Sequence, residues 1–144
     1  TETLFSPPGT AYLYLIYGMY HCLNFITEPE GEPCGVLIRG AVPIQNQNAI
    51  AQNRFGRAPS ELTASQRRHF LDGPGKLCQG LALTRAENGL DLTKPPLYLC
   101  RGHREEELHT GKRIGIDYAE EAVHFPWRFW IEAETPEEGK DALF

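Results

Sequence analysis

Between Gly9 and Asn24 the chain reads Gly-Thr-Ala-Tyr-Leu-Tyr-Leu-Ile-Tyr-Gly-Met-Tyr-His-Cys-Leu-Asn, placing Tyr12, Tyr14, Tyr17, Tyr20 and Asn24 in an otherwise apolar segment. A buried phenol must find a hydrogen-bond partner, so a set this dense suits a wall or interface where one end of each ring stays wet. Flat rings in such a wall can stack on another planar group, while a tyrosine-rich cover over a core is the plainer alternative. A second group with chemical potential is Asp72-Gly73-Pro74-Gly75-Lys76. A glycine-loaded turn entering a helix exposes backbone N–H groups at the positive end of the helix dipole, and together with Lys76 these suit a phosphate oxygen. A capped core helix is the alternative there. The segment is no Walker loop, which needs a longer glycine spacing ending in Lys-Ser or Lys-Thr. Arg39 stands in Gly-Val-Leu-Ile-Arg-Gly-Ala-Val, where a guanidinium must be paired or reach a surface.

The elements that would position these residues follow from periodicity. Tyrosine alternates with aliphatic residues from Ala11 to Ile16, as in a half-buried strand, and Gly18 lets the backbone reverse before a second strand from Tyr20 to Phe25. Thr27 to Glu32 is a polar turn, and Cys34 to Val42 reads as a buried strand ending at Pro43. Pro43 to Arg57 holds at most a short polar helix, and a further helix is expected from about Thr63 to Leu71 with Thr63 as its cap. After the Gly73–Gly75 turn, Leu77, Leu81 and Leu83 set a helical period, with Cys78 and Ala82 filling in. Short strands are expected at Leu97 to Arg101, Arg113 to Ile116 and Pro126 to Ile131, with an acidic helical turn or loop at Glu105 to His109. Short strands and a few helices without regular β-α-β repetition indicate an α+β fold.

At 144 residues the chain is long enough for one hydrophobic core, and it shows no internal repeat. No apolar run approaches the roughly 20 residues that a membrane-spanning helix needs, and Thr1-Glu2-Thr3-Leu4 is no signal peptide. A soluble protein is expected. Cys22, Cys34, Cys78 and Cys100 lie far apart with no Cys-x-x-Cys, and three of them sit among aliphatic residues, as reduced thiols of a cytosolic compartment would. These cysteines and five scattered histidines offer no local pairing, so no metal and no cofactor are expected. The net charge of −5 conceals two opposite regions. Arg54, Arg57, Arg67, Arg68, Lys76 and Arg85 face only Glu61 and Asp72, whereas Glu132, Glu134, Glu137, Glu138 and Asp141 face only Lys140. A phosphate-binding middle with a solvated acidic tail, or simply a charged loop and helix, would produce this distribution.

Several stretches in the same order carry a resemblance. Tyr14, Ile16-Tyr17-Gly18-Met19-Tyr20, Cys22, Asn24, Arg39, Gly73-Pro74-Gly75-Lys76-Leu77-Cys78-Gln79, Arg113-Ile114-Gly115-Ile116 and Trp127-Arg128-Phe129 together resemble the alkyladenine (3-methyladenine) DNA glycosylase family. The likeness runs from about Phe5 to Ile131. It implies a monofunctional, metal-free enzyme that excises alkylated or deaminated purines from duplex DNA by flipping the nucleotide out and hydrolysing the N-glycosidic bond. The implied fold is a single α+β domain over residues 1–144, N-terminally incomplete, with a mixed, mainly antiparallel curved sheet, a protruding hairpin, a few packed helices and an acidic tail over 132–144. The resemblance makes Tyr17 the wedge that enters the minor groove at the vacated position, flanked by Met19 and Tyr20. Tyr14 would stack on the flipped purine, Asn24 would clash with the 2-amino group of guanine, and Cys22 and Arg39 would complete the substrate pocket. Gly75 and Lys76 would meet a DNA phosphate.

The family's general base is a glutamate in a Glu-x-Glu-Ala-Tyr segment, and none occurs between Thr1 and Phe144. No catalytic residue is therefore expected within this chain, and losing such a base typically costs about 10²–10⁴-fold in rate. A separate upstream chain, an absent segment, and a scaffold that binds lesions without cutting them all fit. A chain complete in itself would be monomeric. One lacking its upstream strands would expose a sheet edge and an apolar face beside the hairpin, through which it could associate. Repair activity places the protein in a bacterial cytoplasm, acting at the nucleoid, or in a eukaryotic nucleus. The pocket reading also predicts a register: a three-residue loop centred on Met19 that pairs Tyr14 with Asn24 on one face.

Overall fold

The computed structural model describes residues 2–102 and 107–132, which divide into two compact units, residues 2–100 and residues 101–132. In the first unit, β1 (Ala11–Ile16), β2 (Tyr20–Ile26) and β3 (Gly35–Leu37) form an antiparallel sheet in the order β1-β2-β3. Residues opposite one another share a face. The alternation therefore separates Ala11, Leu13 and Leu23, which enter the core, from Tyr12, Tyr14, Cys22 and Asn24 on the other side. The chain is α+β, as its irregular succession of short elements predicts.

The hairpin register differs from the expected one. Tyr14 lies opposite Cys22 and Asn24 opposite Tyr12, so the loop Tyr17-Gly18-Met19 is centred on Gly18 rather than Met19. The cause is a turn closed by the Met19 N–H to the Ile16 carbonyl at 3.2 Å, with Tyr17 and Gly18 both at positive φ (53° and 69°). A tight hairpin turn of the I′ kind needs this conformation at both central positions. Tyr14 and Asn24 nevertheless share a face, as diagonal rather than direct partners.

The expected Cys34–Val42 strand contracts to Gly35–Leu37. Ile38 N–H still reaches the Leu23 carbonyl at 2.9 Å, but the chain then leaves the sheet. A Cβ on Gly40 would sit 3.0 Å from the Leu71 carbonyl oxygen, and the Ala41 N–H donates to that oxygen at 3.1 Å.

Three short helices follow the sheet in the chain, the last packing on β2 and the first on the last. The polar helix expected between Pro43 and Arg57 is α1 (Gln47–Phe55), ended by Gly56 at φ 65°. Thr63 caps α2 (Ala64–Arg68) as predicted, its hydroxyl accepting from the Gln66 N–H at 3.1 Å while the Gln66 side chain accepts from the Thr63 N–H at 2.9 Å. This reciprocal pair satisfies two otherwise orphaned donors. The helix ends at Arg68 rather than Leu71: the His69 N–H closes the last turn onto the Ser65 carbonyl at 3.0 Å, His69 leaves the helical conformation at φ −107° and ψ 38°, and the His69 and Phe70 carbonyls accept from Arg54. Helix α3 (Pro74–Gly80) begins where the Asp72-Gly73-Pro74 turn predicts, with proline at the first helical position. It stops short of Leu81 and Leu83: Ala82 adopts φ 53°, and the Leu83 N–H folds back to the Cys78 carbonyl at 2.8 Å. A left-handed cap of this kind buries Leu83 by reversing the chain, not by continuing the helix.

Near Thr10 the edge of β1 is closed by residues 88–92. Ala11 N–H donates to the Leu90 carbonyl at 2.8 Å, Gly89 N–H to the Ala11 carbonyl at 2.8 Å, and Leu13 N–H to Asn88 Oδ1 at 3.0 Å. Asn88 Nδ2 in turn donates to Thr3 Oγ1 at 2.9 Å. Beyond Leu13, β1 is the outer strand of its sheet among the described residues, and Leu15 is exposed. Only Cys22 and Cys78 are buried as small hydrophobes; Cys34 and Cys100 are exposed, so the aliphatic neighbours around three cysteines overstated their burial.

In the second unit, β4 (His109–Gly111) pairs antiparallel with β5 (Arg128–Trp130). The Leu97–Arg101 stretch is not a strand; in it the Leu99 N–H makes one bond, to the Leu92 carbonyl at 2.8 Å. Arg113–Ile116 is irregular, since Gly115 turns the backbone at φ 70°, and the strand lies just before it. The expected Pro126–Ile131 strand shortens to β5. Glu105 and Glu106 of the acidic turn and residues 133–144 of the acidic tail lie outside the described residues.

Candidate nucleic-acid interface

Tyr17 is the most exposed apolar side chain of the first unit, at 86 %. A large aromatic residue at positive φ is uncommon and carries a steric cost, of order 1 kcal/mol or more. The fold holds Tyr17 in that conformation at the loop tip, with Met19 and Tyr20 exposed beside it. These three form an aromatic and thioether knob that could enter an apolar or stacked environment.

Behind the knob, the tyrosine face of the hairpin becomes progressively enclosed. The Tyr12 and Tyr14 rings lie 5.4 Å apart, tilted by 37°. Asn24 is buried at 9 % exposure and donates from Nδ2 to the Tyr12 carbonyl at 3.4 Å. Burial pushes the Cys22 thiol above its ordinary pKa, against the Tyr14 hydroxyl hydrogen bond and the Arg39 charge, which both favour the thiolate. Tyr14, Cys22 and Arg39 are thus close enough to act on one another, and the half-buried Arg39 answers the sequence requirement that its guanidinium reach a surface or a partner. Cys22 itself is buried.

Helix α3 runs along β2. A Cβ on Gly75 would fall 3.0 Å from Tyr20 Cδ1, so glycine at this position lets the helix seat directly on the tyrosine ring. Burial, and next the neighbouring Cys22, push the Cys78 thiol up to about 11, against a hydrogen bond from the Leu23 backbone. Ahead of the helix, Asp72 accepts from His69 Nδ1 at 2.6 Å and from Lys76 Nζ at 3.0 Å. Burial alone would raise the Asp72 carboxyl, but the hydrogen bonds and charges of His69 and Lys76 together hold it below its usual range. Lys76 remains partly exposed, with part of its field offset by Asp72. The spacing of Asp72 and Lys76, four residues apart across a helix start, could have signalled this pair; nothing in the sequence announces the third partner, His69.

In the second unit, Trp130 lies between two cationic or ionisable groups. Arg128 Cζ is 4.3 Å from its ring centroid and the His109 ring stacks on it at 5.5 Å. Arg113 Cζ lies 5.2 Å from the Trp127 centroid and Nη2 donates to the Ala122 carbonyl at 3.5 Å. The Arg113 and Trp127-Arg128-Phe129 segments are therefore joined by stacking within their own unit.

An aromatic knob on a strained turn, with a phenol, a buried amide and a guanidinium behind it, has the composition of a base-reading surface. Residues 1–135 match the methylpurine-DNA glycosylase family, and the chain belongs to that family. A protein of Alkaliphilus oremlandii is 45 % identical over 132 residues, covering 91 % of this chain and 65 % of its own length. Proteins of Bacillus cereus and Bacillus thuringiensis are each 46 % identical over 138 residues, covering 92 % of this chain and 66 % of their own length. All three carry the provisional name 3-methyladenine DNA glycosylase. The chain thus spans about two thirds of the length of these relatives.

Proposed function

We propose that this chain is the lesion-reading part of a DNA glycosylase that removes alkylated or deaminated purines, of the 3-methyladenine and hypoxanthine type, from duplex DNA. The observation that carries the reading is Tyr17, an exposed aromatic residue at φ 53° on a tight hairpin tip, backed by Tyr14 and Asn24 on one face of the hairpin. A glycosidic bond inside a stacked duplex is out of reach, so the damaged nucleotide must rotate out, at a cost of a few kcal/mol that a lesion lowers. Tyr17 fills the vacated space from the minor groove, and its ring offsets part of the lost stacking. Tyr14 offers its face to the flipped purine. Asn24, held by the Tyr12 carbonyl, presents a fixed wall against which the guanine 2-amino group would clash. Met19 and Tyr20 flank the wedge, while Lys76, beside Gly75 at the start of α3, supplies positive charge towards a phosphate.

A lesion-binding module without cleavage is the second reading, and a specific observation favours it. The groups acting on Cys22 at the hairpin are a phenol and a guanidinium, neither of them a carboxylate. Activation of water needs a carboxylate or another base. Incubating the chain with a duplex bearing one hypoxanthine or ethenoadenine, followed by alkali, separates the readings. Strand breaks at the lesion mark excision; lesion-selective binding without breaks marks the module, and no preference for the lesion duplex overturns both.

A further inference from the structure

Arg54 belongs by sequence to the basic middle of the chain, where a phosphate contact is the ordinary expectation. In the fold its guanidinium is used internally. Nε donates to the Phe70 carbonyl at 3.0 Å, Nη2 to the His69 carbonyl at 3.3 Å and Nη1 to Gln79 Oε1 at 2.8 Å. Its Cζ lies 4.5 Å from the Phe55 ring centroid. The fork thus grips the turn before α3 and the last turn of α3 together. Next to it, Asn53 Nδ2 donates to the Gly80 carbonyl at 2.9 Å, and a Cβ on Gly80 would fall 2.5 Å from Leu71 Cδ2 and 3.4 Å from Arg54 Cγ.

These contacts matter beyond α1. Helix α3 has seven residues, too few to hold a direction by its own hydrogen bonds. Its far end is gripped by Arg54 and Asn53, while its first turn carries Gly75 against Tyr20 and its second places Cys78 beside Cys22. Tyr20 is the first residue of β2, paired with Ile16, directly behind the Tyr17 turn.

We infer that Arg54 is a positioning residue, whose three-way grip on His69, Phe70 and Gln79 orients α3 so that Gly75 seats Tyr20 and fixes the base of the Tyr17 hairpin. Its consequence for DNA rests on the lesion-binding reading above; the seat itself does not. Lysine cannot replace it, because a single ammonium lacks the planar fork that serves acceptors on two sides.

The test compares Arg54→Lys and Arg54→Gln with the unaltered chain and with Thr63→Ala, a control that weakens the first turn of α2 and removes none of the three acceptors of the grip. Affinity for a hypoxanthine duplex is measured by fluorescence anisotropy at several salt concentrations. Thiol rates are measured with an aromatic disulfide reagent, well below each melting temperature. Both Arg54 variants are expected to lose about tenfold or more in lesion affinity, as for one charge-assisted hydrogen bond, with the slope of log affinity against log salt unchanged. Cys22 and Cys78 should react faster, and Cys34 and Cys100 at unaltered rates. Retained affinity in Arg54→Lys, with Arg54→Gln losing affinity and about 0.9 of the salt slope, would make Arg54 a phosphate ligand and overturn the inference. So would a lowered melting temperature with affinity and thiol rates like those of Thr63→Ala. Should neither Arg54 variant fold, Gln79→Met removes one acceptor of the grip: a smaller loss of affinity and thiol protection upholds the inference, and no change in either overturns it. If the unaltered chain shows no lesion preference, the lesion-binding reading falls separately. Thiol protection then decides, faster Cys78 reaction in Arg54→Lys upholding the seat and unchanged protection refuting it.

Discussion

Tyr17 is the residue on which the proposed function most depends. Its ring is exposed and held at positive φ by a turn two residues long. Tyr17→Ser should weaken binding to a hypoxanthine duplex by about 1–3 kcal/mol, the worth of one aromatic stack, and leave binding to undamaged DNA nearly unaltered. Equal lesion affinity in a competition titration would count against intercalation. Lys76→Ala should act differently, reducing affinity for every duplex and lowering the salt slope by up to about 0.9, less in proportion to how far Asp72 already offsets the charge. Residue types made both positions legible, since a phenol at a glycine turn and a lysine at a helix start stand out in any sequence. Partners were less legible: Asp72 and Lys76 stand one helical turn apart, but the grip of Arg54 on the His69 and Phe70 carbonyls and on Gln79 depends on contacts between segments well apart in the chain.

At the scale of elements, starts were more legible than ends. Thr63 signals its helix through the reciprocal bond to Gln66, and Thr63→Ala should cost about 1 kcal/mol in urea unfolding. Helix ends are marked by backbone departures that periodicity does not announce: His69 leaves the helical conformation after α2, where Arg54 meets the next carbonyls, and a left-handed Ala82 reverses the chain after α3. Gly80 marks the closest approach of α3 to its neighbours. Gly80→Ala should destabilise the fold by about 1–3 kcal/mol despite alanine's better helix propensity, because the added methyl would meet Leu71 Cδ2 at 2.5 Å. A gain in melting temperature would contradict the packing described. The strand expected over Cys34–Val42 fails for a similar reason, as Gly40 and Ala41 turn away to the Leu71 carbonyl.

For the molecule as a whole, stability should depend on pH through groups of opposite sign, of which Cys78 and Asp72 are one of each. The Cys78 thiol is raised from 9.0 to about 11, so its contribution is complete below pH 9 and is lost as the pH rises towards 11, on the order of 2 kcal/mol. Asp72 is lowered, so its contribution is present above the ordinary carboxylate range and is lost as the pH falls through its depressed value. Urea unfolding midpoints at pH 7, 9 and 11 check the first, and Cys78→Ala should flatten the alkaline decline. In the native protein, a thiol titration should show Cys34 and Cys100 reacting fast and Cys22 and Cys78 slowly.

The linear order of residues determined the α+β class, the two strands of the hairpin, the Thr63 cap, the start of α3 and the family, because each rests on local periodicity, turn chemistry or ordered short motifs. Tertiary structure decided the register, centred on Gly18 by the closure of Ile16 onto Met19, and the truncation of β3 and α3. It also decided that the glycine of Gly75 serves the Tyr20 ring and that Arg54 faces inward. A one-residue change in turn placement moves every cross-strand partner, and a guanidinium takes whichever acceptors the fold brings within reach. Neither outcome is written in local propensity.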